Sequence, residues 1–127
     1  LSALPHASKA LEIDAKAVSR DPSVVEAYVA DPLVHHDNIP ARMVVSLFDE
    51  GQFVVDNAGH ITLPVLLLHG EEDQLTSVPA SRQFIEALRA SDKHLTVYPG
   101  MYHELFNEPE RDEIIDTCIA WIRQRLV

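Results

Sequence analysis

The chain has 127 residues, of which 10 are Lys or Arg and 20 are Asp or Glu, so its formal net charge at pH 7 is −10 with histidine neutral. Apolar residues make up 46% and charged residues 24%, which is typical of one globular domain and argues against a disordered or fibrous chain. The negative charge repels phosphate groups, so no nucleic-acid partner is predicted.

Residues 1–62 are predicted to be mostly helical. At Asp21–Ser23 an N-cap residue precedes a proline in the first helical turn, and apolar side chains follow at helical spacing through about Ala30. Pro40 can begin a second helix, whose apolar pattern continues until Gly51 interrupts it. Two short helices are therefore expected, with a polar segment between them.

Residues 63–127 alternate between strand and helix. The apolar run Pro64–Leu68 predicts a strand that is buried on both faces, Pro79 begins a helix, and His94–Tyr98 alternates as a second strand. This order predicts an α/β fold with parallel strands and a right-handed crossover. Two strands alone do not make a stable sheet, so further strands are expected from another part of a longer protein, from a second copy, or from residues 50–62.

The last helix is predicted to begin at Asn107, since Glu110 three residues later gives a capping-box pattern. Its predicted buried face consists of apolar residues at helical spacing: Ile114, Ile115, Cys118, Ile119, Ile122 and Leu126. Cys118 is the only cysteine, so an internal disulfide is excluded. Its place on this face predicts a buried, unreactive thiol.

Polar residues follow both predicted strands at one edge of the sheet. Glu72 and Asp73 lie after the first strand, and His103 lies after the second. Because the carboxyl ends of parallel strands meet, a carboxylate from the first turn is predicted to reach the imidazole of His103, which would then act as a general base. Spacing leaves two other interpretations open: Glu72 in place of Asp73, or a helix-capping carboxylate beside a solvated histidine.

Two stretches, LLLHGEED at residues 66–73 and YPGMYHELFNEPER at residues 98–111, resemble the C-terminal half of an α/β-hydrolase of the monoacylglycerol lipase type. The wider family is often labelled serine aminopeptidase-like or lysophospholipase-like. The resemblance implies that Asp73, in the HGxxD turn, is the acid of a Ser-Asp-His triad, and that His103, in the GxYH turn, is its base. It also implies ester hydrolysis through an acyl-enzyme without a cofactor or metal.

The resemblance extends less sharply upstream. Ser19–Pro22, Tyr28 and Asp31–Val34 look like the segment that leads out of the mobile cap in these lipases. Residues 1–62 are accordingly interpreted as the remainder of a cap, and residues 63–127 as the C-terminal βαβα part of the hydrolase core. The alternative for the first segment is an ordinary helical hairpin at the surface.

The nucleophile of such an enzyme is missing from this chain. A nucleophile elbow needs the pattern G-x-S-x-G, because small residues on both sides allow a strained turn to present the serine. The four glycines lie at positions 51, 59, 70 and 100, and no two of them are four residues apart. Ser77 and Ser81 are interpreted as helix-capping or solvated residues. The nucleophile and the oxyanion hole are therefore expected outside this chain.

A metal site is one alternative, with ligands drawn from either of two sets: His35, His36 and Asp37, or His69, Glu71 and Asp73. Adjacent histidines rarely reach one ion, and the chain has no Cys pair, so this alternative is disfavoured. A second alternative is a noncatalytic half-domain that self-associates through exposed sheet edges, for example as a homodimer. A third is another activity of the same fold, such as a peptidase or an epoxide hydrolase.

The expected substrate is a small acyl ester such as a monoacylglycerol, and the cap is a candidate for peripheral contact with a membrane. Leu1–Leu11 lacks a basic region and a continuous apolar core, so no signal peptide is predicted. The apolar run Leu63–Leu68 is far shorter than the roughly 20 residues that a membrane span needs. These features predict a cytoplasmic or peripherally membrane-associated protein.

Overall fold

The computed structural model describes residues 13–37 and 39–126, so the signal-peptide prediction for residues 1–11 lies outside the described residues. The helices and strands are, in chain order, α1 (Pro22–Ala30), α2 (Ala41–Asn57), β1 (Val65–Gly70), α3 (Val78–Ala87), β2 (Lys93–Tyr98) and α4 (Arg111–Arg123). Single 3-10 turns lie at Ala15–Ala17, Ala58–His60 and Leu105–Asn107. Among the described helices, none has both the length and the apolar character that crossing a bilayer requires.

The two strands pair in parallel, and α3 is the crossover between them, as the sequence predicted. The register runs from Val65 opposite Lys93 to Gly70 opposite Tyr98. β1 continues beyond the apolar run that predicted it, because His69 and Gly70 still have partners in β2. Both of these last residues are buried. The polar end of β1 therefore belongs to the interior of the fold.

Helix α1 has the predicted bounds, and the Asp21 side chain caps it by accepting a hydrogen bond from the N–H of Ser23 at 2.9 Å. The predicted end of the second helix is wrong, because α2 continues through Gly51 to Asn57. A single glycine costs a helix only about 1 kcal/mol. The Asn57 side chain also donates to the carbonyl of Phe53 at 2.8 Å in the last turn. Residues 50–60 are therefore helical and supply no third strand.

The start of the last helix also differs from the prediction. α4 begins at Arg111, after a 3-10 turn over residues 105–107. Glu110 occupies the N-cap position but makes no capping hydrogen bond, since its carboxylate is paired with the guanidinium of Arg20. An ion pair with a distant residue has replaced the predicted capping box.

The core consists of two small clusters of buried residues: Ala58, Leu88 and Ala90 in one, and Met101, Leu105 and Ile114 in the other. Of the predicted buried face of α4, only Ile114 is fully buried. Cys118 is half-buried, and the other apolar residues of that face are exposed: Ile115, Ile119, Ile122 and Leu126. A sheet of two strands offers too little surface to cover the whole face.

Candidate active site

The turns that follow β1 and β2 are joined by backbone contacts. The N–H of Glu71 donates to the carbonyl of Tyr98, and the N–H of Glu72 donates to that of Met101, both at 2.9 Å. A side chain at Gly70 would overlap the backbone of Met101 and Tyr102, so only glycine permits this approach. These contacts bring the two turns together at one edge of the sheet.

Asp73 and His103 meet at this edge. Nδ1 of His103 lies 2.9 Å from Oδ2 of Asp73. The Asp73 side chain is 3% exposed and that of His103 is 37% exposed, so a buried carboxylate orients a ring that solvent can reach. Because Nδ1 donates to the carboxylate, Nε2 is the ring nitrogen left to exchange a proton with another group. Glu72, the competing acid, is exposed and does not make this contact.

The carboxylate of Asp73 accepts hydrogen bonds at both oxygens. Oδ1 accepts from the N–H of Leu75 at 2.7 Å and from that of Thr76 at 2.9 Å, and Oδ2 accepts from the Thr76 hydroxyl at 2.6 Å. Burial raises the pKa of Asp73, but the hydrogen bonds from Thr76, His103 and Leu75 outweigh burial and lower this pKa to about 2. The group is therefore a carboxylate at neutral pH.

His69 is also part of this site, although its sequence pattern indicated only a possible metal ligand. Its residue surface is 7% exposed, and its Nε2 lies 3.2 Å from Oδ2 of Asp73. On the other side of the ring, Nδ1 lies 2.7 Å from the hydroxyl of Ser81 on α3. The sequence contains one signal for this role, namely the position of His69 directly after an apolar strand segment. A polar residue at such a position must find hydrogen-bond partners inside the fold.

The two candidate metal sites do not form among the described residues, where no group of three or more His, Cys, Asp or Glu could hold an ion. In the first set, the ring of His36 packs edge-on against Tyr28, with ring centroids 5.7 Å apart. In the second set, Glu71 turns away and accepts a hydrogen bond from the N–H of Gly100 at 3.3 Å. His69 and Asp73 remain together, as partners in a hydrogen-bond network.

The turn that carries His103 is tied to the segment before α1. The N–H of Glu104 donates to the carbonyl of Val18 at 2.8 Å, and the Ser19 hydroxyl donates to the carbonyl of Asn107 at 3.0 Å. Glu108, which is completely buried, accepts from both the backbone N–H and the guanidinium of Arg20. Burial raises the pKa of Glu108, but these hydrogen bonds from Arg20 lower it below its ordinary value.

A cleft of about 600 Å³ opens beside the two site residues. The cleft lies between α2 and the β1–α3 segment, and its apolar lining includes Leu47, Val54 and Phe84. His69, Asp73 and His103 also belong to its lining. A largely apolar cleft that includes a histidine and a carboxylate can hold an acyl chain with its polar group at the imidazole.

The sequence profile of the family described as serine aminopeptidase, S33, matches residues 2–110. The chain belongs to this family. Over 114 residues it is 46% identical to a monoacylglycerol lipase of Mycolicibacterium smegmatis, a match that covers 90% of the chain and 41% of that protein. The crystal structure of Paleococcus ferrophilus monoacylglycerol lipase matches with a TM-score of 0.80 at 36% identity, over 88% of the chain and 44% of that structure.

A soluble variant of monoglyceride lipase from Saccharomyces cerevisiae, solved in complex with a substrate analog, matches with a TM-score of 0.77 at 21% identity. That match covers 91% of the chain and 43% of the yeast structure, and at this identity it supports the fold alone. The chain therefore has part of the α/β-hydrolase fold, as the resemblance implied. It spans less than half the length of each of these three relatives.

Proposed function

We propose that these residues are the acid-and-base portion of a serine ester hydrolase that acts on monoacylglycerols or similar small acyl esters. The observation that carries the proposal is the 2.9 Å contact between Nδ1 of His103 and Oδ2 of Asp73 in the lining of a largely apolar cleft. Membership of the serine aminopeptidase family and the identity to monoacylglycerol lipases support it. The nucleophilic serine and the oxyanion hole would lie outside this chain.

In this mechanism, Nε2 of His103 takes the proton of the serine hydroxyl as the serine oxygen attacks the ester carbonyl. The imidazolium then gives that proton to the leaving alcohol, and the acyl group stays on the serine. Water repeats the sequence, since His103 takes a proton from the attacking water and returns it to the serine. Asp73 holds the ring through Nδ1 and stabilises the imidazolium in both halves of the reaction.

Residues 1–62 are proposed to be the remainder of a cap over the acyl-binding cleft, and residues 63–127 to be part of the core. Helix α2 supports this division, because its side chains Leu47 and Val54 line the cleft, although both are also exposed. Met43 and Phe48 add further exposed apolar surface to the same helix. Such a surface could also contact a lipid bilayer at its interface. Binding of the complete enzyme to phosphatidylcholine vesicles, measured by flotation, tests that contact.

The test of the proposed function uses the complete enzyme, in which these residues are joined to the portion that supplies the nucleophile. We expect His103→Ala to abolish the release of fatty acid from a monoacylglycerol. We expect Asp73→Asn to lower kcat by about 10⁴-fold, since a misoriented imidazole has an effect of that size in triad enzymes. His94→Ala, at an exposed histidine of β2, is the matched control and should keep wild-type turnover. Near wild-type kcat in both site variants would refute the assignment.

Peptide hydrolysis is a second candidate, because the matching family is described as a serine aminopeptidase. The same pair of side chains can serve either reaction, since both pass through an acyl-enzyme. The two are separated by comparing kcat/KM of the complete enzyme for a monoacylglycerol with kcat/KM for an aminoacyl amide. We expect the ester to be preferred, and a preference for the amide would instead support the peptidase.

A further inference from the structure

A second histidine contacts the carboxylate of Asp73 from inside the fold. His69 is the next-to-last residue of β1, and its Nε2 lies 3.2 Å from Oδ2 of Asp73 and 3.3 Å from the hydroxyl oxygen of Thr76. Its other ring nitrogen, Nδ1, lies 2.7 Å from the hydroxyl of Ser81. The ring therefore bridges helix α3 and the turn that carries Asp73.

The hydrogen-bond partners fix one tautomer for the neutral ring of His69. The hydroxyl hydrogen of Thr76 is used toward Oδ2 of Asp73, at 2.6 Å. Two acceptor oxygens, one from each of these residues, therefore face Nε2 of His69, so Nε2 must carry the hydrogen. Nδ1 is then an acceptor, and the Ser81 hydroxyl donates to it. In this arrangement, each hydrogen-bonding group around the ring is satisfied.

The same chain of contacts, Ser81 to His69 to Asp73, has the residue types of a catalytic triad, but its surroundings do not suit nucleophilic attack. Ser81 lies in the first turns of α3, and its N–H donates to the carbonyl of Ser77 at 3.1 Å. An oxyanion hole needs N–H groups that point at the reacting oxygen, whereas the N–H of Ser81 is already used by the carbonyl of Ser77. The chain of contacts is therefore suited to holding Asp73 in place.

We propose that His69 is the positioning residue for the acid of the active site, and that Ser81 positions His69 in turn. This inference rests on the proposed function, because it assigns His69 a role only through Asp73. Two backbone N–H groups donate to Oδ1 of Asp73 and fix its position. Oδ2, which faces His103, has only the hydroxyl of the exposed Thr76 as a further donor from the same turn. The buried imidazole of His69 restricts rotation of the carboxylate, so that Oδ2 stays aligned with Nδ1 of His103.

The first test compares His69→Ala, His69→Gln and Ser81→Ala in the complete enzyme, with His94→Gln as the matched control. Titration with a fluorophosphonate counts the active sites, so kcat refers only to folded molecules. We expect His69→Ala to lower kcat between about tenfold and a hundredfold, with KM changed less than about twofold, because misplacement affects the transition state and not substrate binding. We expect a smaller loss for Ser81→Ala.

His69→Gln is the rescue variant, because its amide N–H can donate toward Asp73 while its amide oxygen accepts from Ser81. We expect it to recover most of the kcat that His69→Ala loses. Equal kcat in the Gln and Ala variants would overturn the proposal, as would wild-type kcat in His69→Ala. If His69→Ala yields no titratable sites, Ser81→Ala and His69→Gln are compared with wild type instead. Wild-type kcat in Ser81→Ala, together with a complete loss of kcat in His69→Gln, would then overturn the proposal.

A double-variant cycle separates this inference from the proposed function. If His69 acts through Asp73, adding His69→Ala to Asp73→Asn should change kcat by less than about twofold. Full multiplication of the two losses would show that His69 acts elsewhere, and would overturn the inference while leaving Asp73 as the acid. Wild-type kcat in Asp73→Asn and His103→Ala would instead defeat the proposed function itself.

Discussion

The edge of the sheet that carries Asp73 and His103 differs sharply from the outer face of α2. At the sheet edge, the Asp73 side chain is 3% exposed and accepts hydrogen bonds at both oxygens. On the outer face of α2, which is formed by Met43 and Phe48, these two side chains are 63% and 73% exposed. The polar site is thus organised by contacts within the described residues, whereas the apolar surface has few partners among them. In this chain, the hydrogen bonds that orient Asp73 and His103 form even though the apolar face of α2 is left exposed.

Exchange of one glycine in each region gives the largest expected difference. Gly70→Ala in the complete protein should lower the free energy of unfolding by about 3 kcal/mol or more, because the added Cβ overlaps the backbone of Met101 and Tyr102. Gly51→Ala on α2 meets nothing within 4 Å and should raise stability by about 0.5–1 kcal/mol. Urea denaturation measures both values. Equal effects at the two positions would contradict the contrast between the regions.

The buried contact between Arg20 and Glu108 should give the next largest effect. Glu108→Ala should lower the free energy of unfolding by about 2–3 kcal/mol, because it leaves the guanidinium without its buried acceptor. The turn that carries His103 should also become less ordered, because it loses this attachment, and kcat should therefore fall. Glu86→Ala, at an exposed position of α3, is the matched control in urea denaturation. A loss no larger than that of the control would show that this pair does not stabilise the turn.

The acid titration of Asp73 should give a third, somewhat smaller effect. Its pKa falls from the ordinary value of 3.8 to about 2 in the folded protein. The folded state therefore binds a proton at Asp73 less readily than the unfolded state does. The Asp73 carboxylate stabilises the fold fully above about pH 4, and this contribution disappears as the pH falls through about 2. The contribution is about 2 kcal/mol. Urea denaturation between pH 2 and 6 should show it in wild type, and the same slope in Asp73→Asn would contradict it.

The smallest effect on stability is expected on the outer face of α2. Phe48→Ser should change the free energy of unfolding by about 0.5 kcal/mol or less, because the side chain is 73% exposed. The same change should lower the tendency of the isolated chain to self-associate, which light scattering measures.

The isolated chain is also expected to remain unlabelled by a fluorophosphonate, and labelling at one serine would show that a nucleophile is present in it.

Local signals were sufficient to predict the parallel strands and the polar residues that follow them. An apolar run bounded by Pro64 and Gly70 and an alternating run ended by Pro99 predicted β1 and β2, and the parallel pairing is confirmed. The expected contact between Asp73 and His103 follows from this topology, because neighbouring parallel strands deliver their turns to the same edge. The choice of Asp73 over Glu72 as the acid depended on the motif alone. Of the two carboxylates, that of Asp73 lies 2.9 Å from Nδ1 of His103.

The errors of prediction arise from contacts that join distant parts of the chain. Glu110 does not cap α4, because Arg20, ninety positions away in sequence, takes its carboxylate. The extension of β1 to His69 depends on pairing with β2, and the role of its ring depends on Ser81 of α3. The helix that continues through Gly51 reflects the small size of the glycine penalty relative to the whole helix. Such competing partners have no signature in a local window of sequence.

Hydrogen exchange at two backbone amides can report on the state of Asp73. The amides of Leu75 and Thr76 belong to a short turn near the surface, yet both donate to one buried carboxylate oxygen. Their exchange with deuterated solvent is therefore coupled to the charge and orientation of the acid. Protection of these two amides provides an internal gauge of Asp73 that requires neither a substrate nor a nucleophile.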